Sequence, residues 1–266
     1  NLASKKFDDY SGKIEFDIKP NEDTLLYLSV NRGTKGGGFN VPSFPPFDPD
    51  RMVFDQEVLI NYEGGYKLSL AGDKITFNGS GFHYDYRQYQ AFSLEGFPQS
   101  ITNHPAEVNG VEIELAARPI EALRLNAFAT HLFTARVEDV TLVSGRVVDR
   151  DMPQAPEWSG GGSVSYEVPV GFGSMALSTH WKYDSAQYFS TFNAPVDRER
   201  KRWVGDVRVG FTPTQGNWEA AFFINNVTDK HYRVYDLDLG AVLGLANSVY
   251  APPRWYGGTL TYHFGK

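Results

Sequence analysis

A chain of 266 residues that is 41% apolar and 21% charged is not disordered, and it has room for one large all-β domain or two ordinary ones. The net charge of −7 argues against a nucleic-acid partner, and the absence of cysteine excludes disulfide staples, thiolate metal sites and cysteine nucleophiles. No apolar run is long enough for a spanning helix, which leaves strands as the only means of crossing a membrane.

Taken in order, the period-two pattern predicts about eleven strands. The first covers 13–19, where Ile14, Phe16 and Ile18 alternate with charged residues, and Pro20-Asn21-Glu22-Asp23 reads as a turn. The second covers 24–31, with Leu26, Leu28 and Val30 on one face. The stretch 32–52 is crowded with glycine and proline and reads as a long irregular loop. In the third strand, 53–70, Val58, Ile60, Tyr62, Tyr66 and Leu68 oppose Glu57, Asn61, Glu63 and Lys67. The fourth, 74–90, changes parity: Ile75 and Phe77 are odd, whereas Phe82, Tyr84 and Tyr86 are even, so a bulge is expected near Asn78-Gly79-Ser80-Gly81. A loop with Gly96, Pro98 and Pro105 precedes the fifth strand, 108–118, where Val111, Ile113 and Leu115 oppose Glu112 and Glu114. The sixth covers 122–136, and a polar loop follows over 137–155. Trp158, Val164 and Tyr166 mark the seventh, Met175, Leu177 and Trp181 the eighth, and Trp203, Val207 and Val209 the ninth. Trp218, Ala220, Phe222 and Ile224 mark the tenth, and after a loop over about 228–250 the eleventh carries Leu260, Tyr262 and Phe264 on one face.

The connections alternate between short turns and long loops, as outer-membrane barrels require and soluble sandwiches do not. Strands of ~9–11 residues fit a tilted bilayer crossing. One face is mostly aliphatic and aromatic, the other Ser, Thr, Asn, Gly and charge, and aromatics gather toward strand ends as interfacial girdles do. The fold class expected is therefore all-β, an antiparallel transmembrane β-barrel, with a soluble sheet as the competing reading.

Several runs, in order, resemble the C-terminal part of TonB-dependent outer-membrane receptors. They are the stretch from Tyr27 to Asn40 through Gly36-Gly37-Gly38, then Glu57 to Tyr62-Glu63, Gly65 and Lys67, and Gly110-Val111-Glu112-Ile113-Glu114-Leu115. Asn225-Asn226-Val227-Thr228-Asp229-Lys230-His231-Tyr232 follows, and Pro253-Arg254-Trp255-Tyr256 leads into the closing aromatic strand. The resemblance covers nearly the whole chain. It implies that residues 1–266 form the C-terminal half of a 22-stranded barrel whose plug and N-terminal strands lie outside this sequence. The chain starts at Asn1 without a leader and reads as a processed chain or a fragment, and Gly265-Lys266 follow the final aromatic on which the family usually ends. Eleven strands alone would leave unpaired edges in lipid, so a fragment, or one chain that needs the remainder, is expected.

The resemblance implies TonB-energised uptake of a scarce nutrient across the bacterial outer membrane, with an iron–siderophore complex as the first candidate. It implies as partners outer-membrane lipid and lipopolysaccharide, the TonB complex acting through the plug, and a small substrate such as a ferric siderophore. The residues leave two alternatives open, a passive porin-like or adhesive barrel and a soluble carbohydrate-binding module. No catalytic constellation, cofactor motif or metal-ligand spacing stands out among the six histidines, so no enzyme activity, cofactor or metal is expected. Asp236 and Asp238 read as a solvated acidic loop rather than a cation site. Arg198, Arg200, Lys201 and Arg202 read either as a solvated rim or as contacts to ligand or lipopolysaccharide, since their charge suits phosphate or an anionic substrate. Loop aromatics offer stacking surfaces: Tyr188, Phe189 and Tyr235, together with Phe44, Phe47, Phe92, Phe97 and Phe192. Leu260, Tyr262 and Phe264 are assigned to lipid.

Overall fold

The computed structural model describes residues 4–40, 52–93, 100–142, 144–239 and 244–264. The strands are β1 (Gly12–Asn21), β2 (Thr24–Lys35), β3 (Gly38–Phe39), β4 (Val53–Phe54), β5 (Glu57–Leu70), β6 (Ile75–Ser93), β7 (Ser100–Ile120), β8 (Leu123–Thr141) and β9 (Val147–Asp151). They continue as β10 (Trp158–Val170), β11 (Gly173–Asp184), β12 (Gln187–Tyr188), β13 (Arg198–Glu199), β14 (Arg202–Pro213), β15 (Trp218–Asn225), β16 (Arg233–Leu239), β17 (Leu245–Tyr250) and β18 (Trp255–Tyr262). Eleven of them follow one another in one antiparallel path, β1-β2-β5-β6-β7-β8-β10-β11-β14-β15-β18. The sheet curves as a barrel wall and does not close on itself: among the described residues β1 pairs only with β2, and β18 only with β15. The all-β antiparallel expectation and its strand count hold.

Strand pairing assigns the faces. Tyr66 opposes Leu26 and Gly79, Val164 opposes Leu125 and Thr179, and Leu260 opposes Ala220, so these share the outer, apolar face. Glu63 opposes Ser29 and Phe82, and Ser80 opposes Glu112, which puts them on the inner face. There Tyr27 donates to Glu63 at 2.6 Å.

Two aromatic belts ring the outer face. Toward the loop rim, His131 stacks on Trp158 with centroids 4.0 Å apart, and Trp203 lies 5.9 Å from Trp181 and 5.8 Å from Tyr183. Toward the turn rim, Tyr66 meets Phe77 at 5.6 Å, Phe211 lies between Phe172 and Trp218, and Tyr262 meets Phe264 at 4.8 Å. Aliphatic side chains fill the band between the belts, the arrangement that suits two membrane interfaces.

One expectation is overturned. No bulge interrupts 78–81; the ladder between β5 and β6 runs unbroken from Ile75 to Arg87. Phe82, Tyr84 and Tyr86 are therefore on the inner face, beside Glu63 and Asn61, and their change of parity is a change of face. Phe82 is accommodated there because the residue opposite is Gly110, where a Cβ would lie 2.6 Å from the Phe82 ring. The irregularity in β6 falls higher, between Tyr86 and Tyr89, with Gln88 at φ 61°. It leaves Pro105 of β7 unpaired, where a residue without an N–H removes nothing from the ladder. So β7 begins at Ser100, whereas the pattern placed its start at 108.

The long connections also carry structure. β9 extends the β8 edge, β3 in the stretch read as irregular pairs with β4, which is separate from β5 although 53–70 was expected as one strand, and β16 and β17 form a hairpin inside the last loop.

Candidate functional site

The loop rim encloses a cavity of about 590 Å³. β6 reaches it above its bulge, bringing Tyr89, Gln90 and Phe92. The β8–β9 extension brings Arg150, the β12–β13 loop brings Phe189, Ser190 and Phe192, and the β16–β17 hairpin brings Tyr235, Asp236 and Asp238. Behind it, Ala106, Val137 and Val140 form a small dry cluster on which Tyr86, Tyr89, Met152 and Phe192 pack.

Side-chain amides hold these loops by mimicking backbone partners. The Gln90 amide nitrogen donates to the carbonyls of Gly36 (2.8 Å) and Asp55 (3.1 Å), and its main-chain N–H donates to Glu57 at 2.7 Å. The Asn193 side chain accepts from the Asp151 N–H at 2.7 Å and donates to the Asp151 carbonyl at 3.0 Å, tying the 188–199 loop to β9. Asn226 does the same at the foot of the last loop. It accepts from the Lys230 N–H at 2.9 Å and donates to the carbonyls of Lys230 (2.9 Å) and Pro252 (3.3 Å). That explains the asparagine in the Asn225–Tyr232 run.

Below the cavity a guanidinium joins the β12–β13 loop to the β16–β17 hairpin. Arg233 Nε donates to Glu199 at 2.9 Å, Nη1 to the Val196 carbonyl at 2.6 Å and Nη2 to the Arg198 carbonyl at 2.6 Å. Nη1 also lies 3.2 Å from Asp236, and the guanidinium sits 5.6 Å from the Phe189 ring centre. Burial works against this charge, but the Glu199 hydrogen bond and the adjacent carboxylates outweigh it, and the Arg233 pKa is raised. Asp197, on a 3-10 turn over Pro195–Asp197, is 0% exposed, and Asp236 is 3% exposed. Ser190 donates to Asp197, and Ser248 to Asp236. Burial pushes the Asp197 carboxyl above its usual range; the Ser190 hydroxyl pulls the other way, and the charges of Asp238 and Asp236 add to the rise.

The residues singled out in the sequence separate into distinct settings. Phe189 and Tyr235 line the cavity. Tyr188 and Arg198 line a second space of about 380 Å³ on the other side of the β12–β13 hairpin. Arg200 and Lys201 are exposed. Arg202 is engaged within the protein: it donates to Asp184 at 2.6 Å and lies 5.0 Å from the Tyr232 ring centre. Asp236, read as solvated, is buried against Arg233 and Ser248; this corrects the sequence reading. Phe92 and Phe192 line the cavity, while Phe44, Phe47 and Phe97 fall outside the described residues. Leu260 and Phe264 are 77% and 90% exposed, and Tyr262 shares their face. The pattern did not single out Tyr89, Arg150 and Arg233. Tyr89 had been counted within a membrane-crossing strand, and the arginines stand alone in polar loops with nothing in their neighbours to mark burial.

An antiparallel wall with two aromatic belts, a polar inner face and structured loops at one rim defines an outer-membrane barrel chain. The description "TonB dependent receptor-like, beta-barrel" matches residues 1–227, and the chain belongs to that family, one of transport receptors of the bacterial outer membrane. Solved structures share the fold. The ferric yersiniabactin uptake receptor FyuA from Yersinia pestis superposes with a TM-score of 0.75 at 22% identity, covering 94% of this chain and 36% of that one. BauA, the ferric preacinetobactin receptor from Acinetobacter baumannii, gives 0.69 at 20% identity over 95% and 36%. The copper transporter OprC gives 0.68 at 18% identity over 95% and 40%. The chain thus spans between a third and two fifths of the length of these proteins.

Proposed function

We propose that this chain forms wall and loop rim of a receptor that imports a chelated metal, with a ferric siderophore as the substrate class. Residues 1–266 form one barrel segment; the plug and remaining strands belong to the rest of the receptor, and TonB drives release through the plug. The observation that carries the reading is the rim cavity, where five aromatic side chains (Tyr89, Phe92, Phe189, Phe192 and Tyr235) surround about 590 Å³. Its described lining contains no His, Cys or Met, the donors that suit bare copper, whereas flat rings suit the organic shell of a chelate. Ferric-complex receptors among the similar folds support the same reading. Leu260, Tyr262 and Phe264 meet lipid, and Arg200 and Lys201 lie at the level of lipopolysaccharide phosphates. The role is transport without catalysis.

The test is growth under iron limitation on a panel of ferric siderophores after deletion of the full-length gene, followed by binding to the purified receptor. One siderophore should cease to support growth. Phe189→Ala with Tyr235→Ala should weaken its binding ~10–100-fold, as loss of two anchoring aromatics does. Unimpaired growth on every ferric complex tried would refute the iron reading.

A further inference from the structure

The acid pair beneath the cavity has an unusual hydrogen-bond balance. Asp197 Oδ1 and Asp236 Oδ2 are both buried and both lack a partner. Arg233 Nη1 contacts both the Val196 carbonyl, next to Asp197, and Asp236, so the two acids are neighbours, and each already accepts a serine hydroxyl on its other oxygen. Two ionised carboxylates facing each other in a dry site repel, and each orphaned oxygen carries a desolvation penalty. A single proton removes both problems at once, because one carboxyl then donates to the other in a short charge-assisted bond. The charges packed here, among the described residues, are Asp197 on the turn, Glu199 on β13, and Arg233, Asp236 and Asp238 on β16, with Arg150 of β9 lining the same cavity. Arg233 is engaged with Glu199 and Asp236, and Asp197 has no cation of its own among the described residues.

We propose that Asp197 and Asp236 hold one shared proton, and that this proton is a pH-responsive latch joining the 188–199 loop to the β16–β17 hairpin. Both hairpins line the rim cavity, so the latch sets how tightly the cavity is held; this last consequence rests on the cavity being the substrate site. The sign follows from the raised Asp197 pKa. The folded loops hold the proton more strongly than unfolded chain does, so the latch is fully formed below the ordinary value. It weakens as pH climbs from the ordinary value of 3.8 through that raised value, and stays weak above it. Acid closes the rim and alkali loosens it.

Hydrogen exchange read by mass spectrometry on the full-length receptor tests this without any substrate, so its failure is separable from failure of the siderophore reading. After correction for the intrinsic pH dependence of exchange, amides in 188–199, 233–239 and 245–250 should exchange faster at pH 8 than at pH 4, while β10 and β11 stay constant. Asp197→Asn places a permanent donor beside Asp236 and should hold the slow rate at both pH values. Ser190→Ala leaves the pair intact and should keep the pH response, which guards against a general loosening of the loop. A pH response that persists unchanged in Asp197→Asn, or none in the native protein, overturns the proposal. So does slow exchange restored at pH 8 by millimolar calcium and not by acid, because the pair is then a cation site.

Discussion

The wall and the loop rim of this molecule are held together by different means. Strands β6 and β7 pair through their backbones nearly from end to end, and the side chains only choose which face meets which medium. Any aliphatic residue at Val164 or Leu177 serves the outer face equally well. In the rim, single side chains replace the ladder: Gln90, Asn193 and Asn226 supply bonds that neighbouring strands supply elsewhere, and Arg233 gathers two carboxylates and two carbonyls. A wall built on period two tolerates substitutions that keep polarity, whereas the rim has residues with no substitute. The proposed binding chemistry falls to the rim, where polar groups leave the repeat.

If this separation is sound, substitutions in one region should leave the other untouched. The largest effect is expected from Arg233→Ala, which strands Glu199 and Asp236 in a buried setting and should lower the local stability of the two hairpins by about 3–5 kcal/mol. Exchange in 195–199 and 233–250 should accelerate, with the unfolding midpoint of the barrel unchanged; a fall in that midpoint would break the comparison. Next comes Val164→Arg, midway between the belts on the outer face, which should cost about 2–4 kcal/mol in equilibrium unfolding from lipid bilayers. Its rim exchange should match the native protein. Asn226→Ala, where β15 passes into the last loop, should cost about 1–3 kcal/mol and move both readouts together, because its side chain serves strand end and loop alike.

The same division explains what the sequence disclosed. All eleven wall strands were legible, since alternations such as Val207, Val209 and Phe211 against Arg208 and Gly210 state both element and face. Phe82, Tyr84 and Tyr86 misled because aromatic residues were assumed to face lipid, whereas the lumen takes them opposite small or polar partners such as Gly110 and Asn61. Pro105 hid the true start of β7, because a proline is silent only when a bulge faces it and the bulge has no composition of its own. In the site, Phe189 and Tyr235 were legible as loop aromatics. Asp197, Glu199 and Asp236 were not: burial of an acid depends on Arg233 and Ser248, which are remote or unmarked in the chain. The basic run was read as one patch, yet Arg202 is engaged by Asp184 while Arg200 and Lys201 are exposed.

The antiparallel path of eleven strands carries a rule of parity. Directions alternate at each step, so the first and last strands, β1 and β18, run the same way, from the loop rim to the turn rim. Two copies of this sheet set edge to edge could meet only through parallel seams. A ring in which every neighbour is antiparallel is completed only by an odd number of further strands, and that number must begin and end on strands that climb where β1 and β18 descend.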